Sequence, residues 1–162
     1  MKKTLTILIL TLALISAGFA EVVRLAPDFS WQGVGKHPSL RSLRGQPVVL
    51  IIAKSARERA FRKQASRLKE LYQEFASRNV VFVAAFVSEG GTIPSDVPFV
   101  IADNAAKIAA DYQVEGNFGV VVIGVDGNVD MQTAKLIPAT RIRDVIINSY
   151  AVQTEERKSK KQ

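Results

Sequence analysis

The nearest approach to a reactive constellation in this chain is a hydroxyl, a cation and a carboxylate that follow closely on an apolar run: Ser55, Arg57 and Glu58. A serine hydroxyl becomes a nucleophile only when a base takes its proton, and the usual base is a histidine oriented by a carboxylate. The one histidine, His37, stands far upstream beside Pro38, and no Ser-His-Asp order is apparent. Serine near a helix start usually caps the helix, so Ser55 reads first as a cap or a loop hydroxyl. Thiol chemistry is excluded, because the chain has no cysteine. No catalytic residue is assigned.

Metal and nucleotide chemistry find equally little. With one histidine and no thiol, the remaining ligands would be carboxylates, and Asp103, Asp111 and Glu115 are spread as cap and surface residues are. Gly90-Gly91 lacks the further glycine and the Lys-Ser/Thr pair of a phosphate loop, so it reads as a turn. No metal or cofactor is expected.

Charge is more informative than catalysis. Arg57, Arg59, Arg62, Lys63, Arg67 and Lys69 crowd one short segment. One reading is a solvated helix face, helped by the spacings of Arg67 with Glu70 and Glu74 with Arg78. The other is a patch for an acidic partner, an anionic lipid or a cell-wall polymer. Cations at a helix start oppose its dipole, which draws interest to Arg57 and Arg59. Arg157-Lys158-Ser159-Lys160-Lys161 repeats the theme in a polar tail over residues 153–162, expected to be disordered.

These residues must be positioned by a larger frame. Val48 to Ala53 is a continuous apolar run, the pattern of a strand buried on both faces. From Ser55 to Ser77, Phe61, Ala65, Leu68, Leu71, Tyr72 and Phe75 recur at helical spacing and predict one long amphipathic helix closed by Asn79. Val80 to Val87 and Pro98 to Ala102 follow as strands, then a helix capped by Asp103 or Asn104 and running to Tyr112. Val120 to Val125 is the next strand, and Asp126-Gly127 predicts a two-residue hairpin into Val129-Asp130-Met131. Thr140 opens a last helix with Ile142, Val145, Ile146 and Tyr150 on one face. Phe29 and Trp31 alternate with polar residues as an edge hairpin would, and core packing is the expected use of their rings. The sum is an α/β domain, a mixed sheet with helices on both faces.

Residues 1–20 have the build of a secretory leader: Lys2 and Lys3, an apolar stretch from Leu5 to Ile15, and small residues at Ser16-Ala17-Gly18-Phe19-Ala20. The stretch falls short of the roughly 20 apolar residues of a membrane span. A cleaved leader makes the expected location periplasmic or secreted, with no lipid-bearing cysteine at the cut and a domain over residues 21–152. The formal net charge of +7 falls to +5 when Lys2 and Lys3 leave. That is moderately basic and no signature of nucleic-acid binding.

Ala26-Pro27-Asp28-Phe29, Pro38-Ser39-Leu40 and Leu43-Arg44-Gly45-Gln46-Pro47-Val48-Val49-Leu50 resemble the opening of the thioredoxin-like redoxins, in the branch of peroxiredoxins and extracytoplasmic thiol-disulfide proteins. Pro98-Phe99-Val100-Ile101-Ala102-Asp103, Ala109-Ala110-Asp111-Tyr112-Gln113-Val114-Glu115-Gly116 and Val121-Val122-Ile123-Gly124-Val125-Asp126-Gly127 resemble the second half, in the same order. The resemblance implies a thioredoxin-like mixed sheet. It also shows what is gone. Where that family carries its reactive cysteines, this chain reads Lys54-Ser55-Ala56-Arg57-Glu58-Arg59-Ala60-Phe61. The family's active-site proline falls near Phe118, in Gly116-Asn117-Phe118-Gly119, and the peroxiredoxin arginine has no match in Val120 to Ile123.

The function this implies is an exported, redox-inactive binding or scaffold module of the cell envelope. Its candidate surface comprises Lys54, Ser55, Arg57, Glu58, Arg59, Arg62, Asn117, Phe118 and Gly119, with Phe118 expected to plug the old site. An envelope protein is the expected partner, and weak contact with an anionic polymer or lipid is the secondary one. The alternative is an enzyme with non-thiol chemistry in the same cleft, built on Ser55, Arg57 and Glu58.

Overall fold

A computed structural model describes residues 24–33, 38–149 and 158–159. The leader 1–20, His37, Tyr150 and all of the tail except Lys158 and Ser159 lie outside the described residues. The strands are β1 (Arg24–Leu25), β2 (Val48–Ser55), β3 (Val81–Glu89), β4 (Phe99–Ile101), β5 (Phe118–Ile123) and β6 (Asn128–Thr133). The helices are α1 (Arg59–Glu70), α2 (Tyr72–Ser77), α3 (Ala105–Asp111) and α4 (Ala139–Ile147), with a 3₁₀ turn at Leu40–Leu43.

The six strands form one sheet in the order β1-β6-β5-β2-β3-β4. β2 runs parallel to β3 and antiparallel to β5, and β3 runs parallel to β4. Successive side chains of a strand point to opposite faces, so the apolar run of β2 feeds two cores. Val49, Ile51 and Ala53 pack with Phe61 and Leu68 of α1, Phe75 of α2 and Ile142 of α4. Val48, Leu50 and Ile52 pack on the other face with Ile108 of α3, Tyr112, Phe29 and Trp31. Helices thus cover both faces, and fully burying each large apolar side chain contributes about 1.5–3 kcal/mol.

Phe29 and Trp31 are buried, as core packing requires. Their backbone pairs with Pro38 and Leu40, and Trp31 bridges to Ala102 at the end of β4. The Tyr112 hydroxyl donates to the Pro27 carbonyl at 2.9 Å, fastening this N-terminal segment to the sheet. Burial pushes the Tyr112 phenol well above its usual pKa, so it stays a donor.

Several boundaries differ from the sequence pattern. The expected helix from Ser55 to Ser77 begins only at Arg59, because β2 continues through Ser55 and a turn occupies Ala56 to Glu58. Ser55 therefore does not cap the helix; Glu58 holds that position. At Leu71 the chain tightens into a turn, with its N–H reaching Leu68 at 3.3 Å, which divides the predicted helix into α1 and α2. Asn79 does close α2: it is left-handed (φ 54°), and the bonds Asn79 N–H to Ala76 and Val80 N–H to Phe75 form the Schellman pattern.

Asn104 stands at the head of α3, but it is left-handed (φ 52°, ψ 50°) and its side chain makes no capping bond. β5 spans Phe118–Ile123 instead of Val120 to Val125, since its register partner β2 reaches Ala53 opposite Phe118. The hairpin loop holds Val125, Asp126 and Gly127: Gly124 N–H bonds Asn128, Gly127 N–H bonds Gly124, and Gly127 takes φ 83°. That is a three-residue loop with a glycine bulge, a close relative of the expected two-residue turn. α4 starts at Ala139 after Pro138. Glu74 meets Arg143 of α4 at 3.7 Å instead of Arg78, and among the described residues no ion pair joins Arg67 to Glu70.

Candidate functional site

In an open α/β sheet, ligand sites gather beyond the carboxyl ends of the parallel strands. β2 and β3 end here at Ser55 and Glu89, which are register partners. Between them and the turn into α1 lies a cavity of about 390 Å³ lined by Lys54, Ser55, Arg57, Glu58, Ser88 and Glu89. Four of the predicted surface residues therefore converge. Ser88 and Glu89 were not foreseen, because the apolar run of β3 stops at Val87 while its hydrogen-bonded ladder continues.

The charges at this end are partly spent on structure. The Glu58 carboxylate accepts the Lys54 backbone N–H at 2.8 Å, and the Glu58 N–H bonds the Ser55 carbonyl at 3.2 Å. These bonds fix the turn between β2 and α1. Ala56, at its centre, is 2% exposed and packs in the core with Phe61. The arrangement can bind polar groups through Lys54, Arg57 and the two glutamates.

Asn117, Phe118 and Gly119 divide between surface and core. Asn117 is exposed, whereas Phe118 and Gly119 are buried as the first residues of β5, opposite Ala53 and Ile52. Phe118 belongs to the same buried cluster as Ala56, Phe61 and Phe86, so its ring is not offered to solvent. Gly119 allows a close approach: a Cβ there would lie 2.9 Å from both γ-carbons of Val114.

Arg59 and Arg62 face a different opening. With Lys63 and Lys69 they line one side of a groove of about 890 Å³, whose other side is the segment Pro94 to Asp96. All four cations are exposed. The groove's one carboxylate, Asp96, pairs with Lys69. That hydrogen bond and the adjacent positive charge hold the Asp96 carboxyl below its ordinary pKa. The sequence pattern found the basic series but missed its opposing wall, which comes from the connection between β3 and β4. Among the described residues no group of three or more His, Cys, Asp or Glu side chains could hold a metal ion, and no helix is long and apolar enough to cross a membrane.

The family described as a domain of unknown function, DUF4174, matches residues 40–155. No curated protein matches the sequence. Solved structures do. A thiol:disulfide interchange protein of the thioredoxin family from Chlorobium tepidum superposes with a TM-score of 0.60 at 19% identity, covering 76% of this chain and 94% of that one. The 2-Cys peroxiredoxin of Plasmodium vivax gives 0.59 at 18% identity, over 82% and 96%. Peroxidoxin BcpB of Mycobacterium tuberculosis gives 0.56 at 19%, over 75% and 90%. At these identities the likeness establishes the fold, which is thioredoxin-like.

Proposed function

The chain belongs to the DUF4174 family, and from that starting point we propose that it is an exported, redox-inactive binding module of the cell envelope. The observation that carries this reading is the turn at residues 54–58. A thioredoxin-like sheet leads there into Ser55, a buried Ala56, Arg57 and Glu58, with Phe118 buried in the same cluster as Ala56. Without a cysteine there is no thiolate to attack a disulfide or a peroxide. What the end of the sheet retains is a polar, charged recess with Lys54, Arg57 and Glu89 at its rim and the exposed Asn117 on the neighbouring strand's approach. An envelope protein is the partner assigned to that surface.

Reversible cross-linking in the native envelope tests the proposal, comparing the wild type with a Lys54→Glu/Arg57→Glu variant whose fold is checked by circular dichroism. Loss of one specific cross-linked protein in the variant is the expected result. Equal capture by both proteins, or turnover of a substrate by the purified protein alone, would remove the reading. The alternative, an enzyme with non-thiol chemistry, has Ser55, Arg57 and Glu58 around one cavity, but the Glu58 carboxylate is engaged by the Lys54 N–H. Any activity found would have to disappear in Ser55→Ala for that alternative to stand.

A further inference from the structure

Side chains of like charge along one helix repel, and exposed helices usually relieve the repulsion with carboxylates three or four residues away. α1 does not. Arg59, Arg62, Lys63 and Lys69 run along one side of the helix over about 15 Å of its axis. Glu70, at its last position, is the helix's own single acid. Among the described residues no ion pair within 4.0 Å links Arg59, Arg62 or Lys63 to a carboxylate, while Lys69 reaches across the groove to Asp96. A row of cations with three members uncompensated, set against an opposing wall, is a preformed place for distributed negative charge.

We propose that this groove binds a linear anionic polysaccharide, one carrying carboxylate or sulfate groups along its length. The inference rests on reading the protein as a binding module, but it uses side chains other than Lys54 and Arg57. Three observations select the class of ligand. The cations form a line and not a point, which matches charge repeated along a polymer better than a single phosphate. The groove's only apolar lining residues are Pro94 and the buried Ala65. It therefore lacks the aromatic or aliphatic pocket in which protein partners seat their anchor residues, and the aromatic platform on which nucleic-acid bases stack. Ser66 stands among the cations and Ser95 on the facing wall, where its hydroxyl accepts the Val97 N–H at 3.1 Å and keeps its own proton to donate, so both sides offer hydroxyls to a sugar.

The pairing of Lys69 with Asp96 makes the proposal directional. Asp96 competes with the ligand for Lys69, so removing its charge should strengthen binding, whereas removing Arg59, Arg62 and Lys63 should weaken it.

The test is the affinity of the natively processed protein for heparin fragments of defined length at about 0.15 M salt. Poly-L-glutamate of matched charge serves as the comparison ligand. Arg59→Ala/Arg62→Ala/Lys63→Ala is expected to weaken heparin binding by about tenfold and to flatten its salt dependence. Asp96→Asn should tighten it about twofold. A control triple of the same charge, Arg78→Ala/Lys135→Ala/Arg141→Ala, should change it by less than about twofold. The proposal is overturned if the control triple weakens binding as much as the groove triple, if poly-L-glutamate binds as tightly as heparin, or if the wild type does not bind. Should the groove triple fail to fold, Asp96→Asn decides alone, and an unchanged or weaker affinity counts against the groove. Failure here leaves the protein-binding reading standing, because that reading is scored separately by cross-linking through Lys54 and Arg57.

Discussion

The turn before α1 and the exposed side of α1 itself are put to opposite uses. At its start the backbone turn from Lys54 to Glu58 is internally bonded, with a carboxylate tied to a main-chain N–H and Ala56 sunk in the core. Along its body, three of the four groove-lining cations have no carboxylate partner among the described residues. The first of these places, at the carboxyl ends of β2 and β3, is held by its own hydrogen bonds, whereas the second leaves its charges to solvent. The two regions can therefore be altered separately, since they depend on different side chains of the same scaffold.

The comparison breaks most visibly if Phe118 is not structural. Phe118→Asp would place a charge in the cluster around Ala56 and Phe61, and a loss of about 4 kcal/mol or more in urea-unfolding stability is expected. A stable, folded variant would mean that this cluster is open to solvent.

Gln64 gives the next largest effect. It is fully buried on α1, and its amide both donates to the Ile137 carbonyl and accepts the Ile137 N–H, each at 3.0 Å. Gln64→Leu leaves a backbone donor and acceptor unpaired, which should cost about 2–3 kcal/mol and loosen the approach to α4. Hydrogen exchange at Ile137 would report it, and unchanged protection would contradict the assignment. Gly119→Ala should follow at about 1–2 kcal/mol, because its methyl would collide with Val114 unless that side chain shifts.

The smallest effect sharpens the groove. Because Lys69 lowers the Asp96 pKa below the usual carboxylate value of 3.8, the pair stabilises the fold above that value, and the contribution disappears as pH falls through the lowered one. Asp96→Asn should hardly move the melting temperature at neutral pH, since both partners are exposed. It should abolish that part of the acid dependence. A large drop at neutral pH would show that the pair holds the groove's wall in place.

Much of the scaffold was legible in the chain, for a definite reason. A strand buried on both faces must be apolar at every position, so Val48 to Ala53 announces itself. The spacing of Phe61, Ala65, Leu68 and Phe75 likewise marks the buried side of a helical segment. The exact start of that segment was not legible. Residues 55–58 have nothing that forbids helix, and what ends β2 so late is its pairing with Glu89 on one side and Phe118 opposite Ala53 on the other. The candidate surface shows the same split. Lys54, Ser55, Arg57 and Glu58 are near in sequence and meet around one cavity, while Arg59 and Arg62 turn toward another, and Phe118 and Gly119 disappear into the sheet.

By itself the sequence determined the absence of thiol chemistry, the alternation of strands and helices, and the concentration of positive charge between Arg57 and Lys69, because each depends only on residue type and local spacing. Only the tertiary structure decided that this charge faces a groove, and that Asp96, distant along the chain, supplies its single counter-charge. The reason is geometric: a helix fixes which of its residues share a side, but the wall opposite them comes from the connection between β3 and β4, and only the packing of the sheet brings the two together.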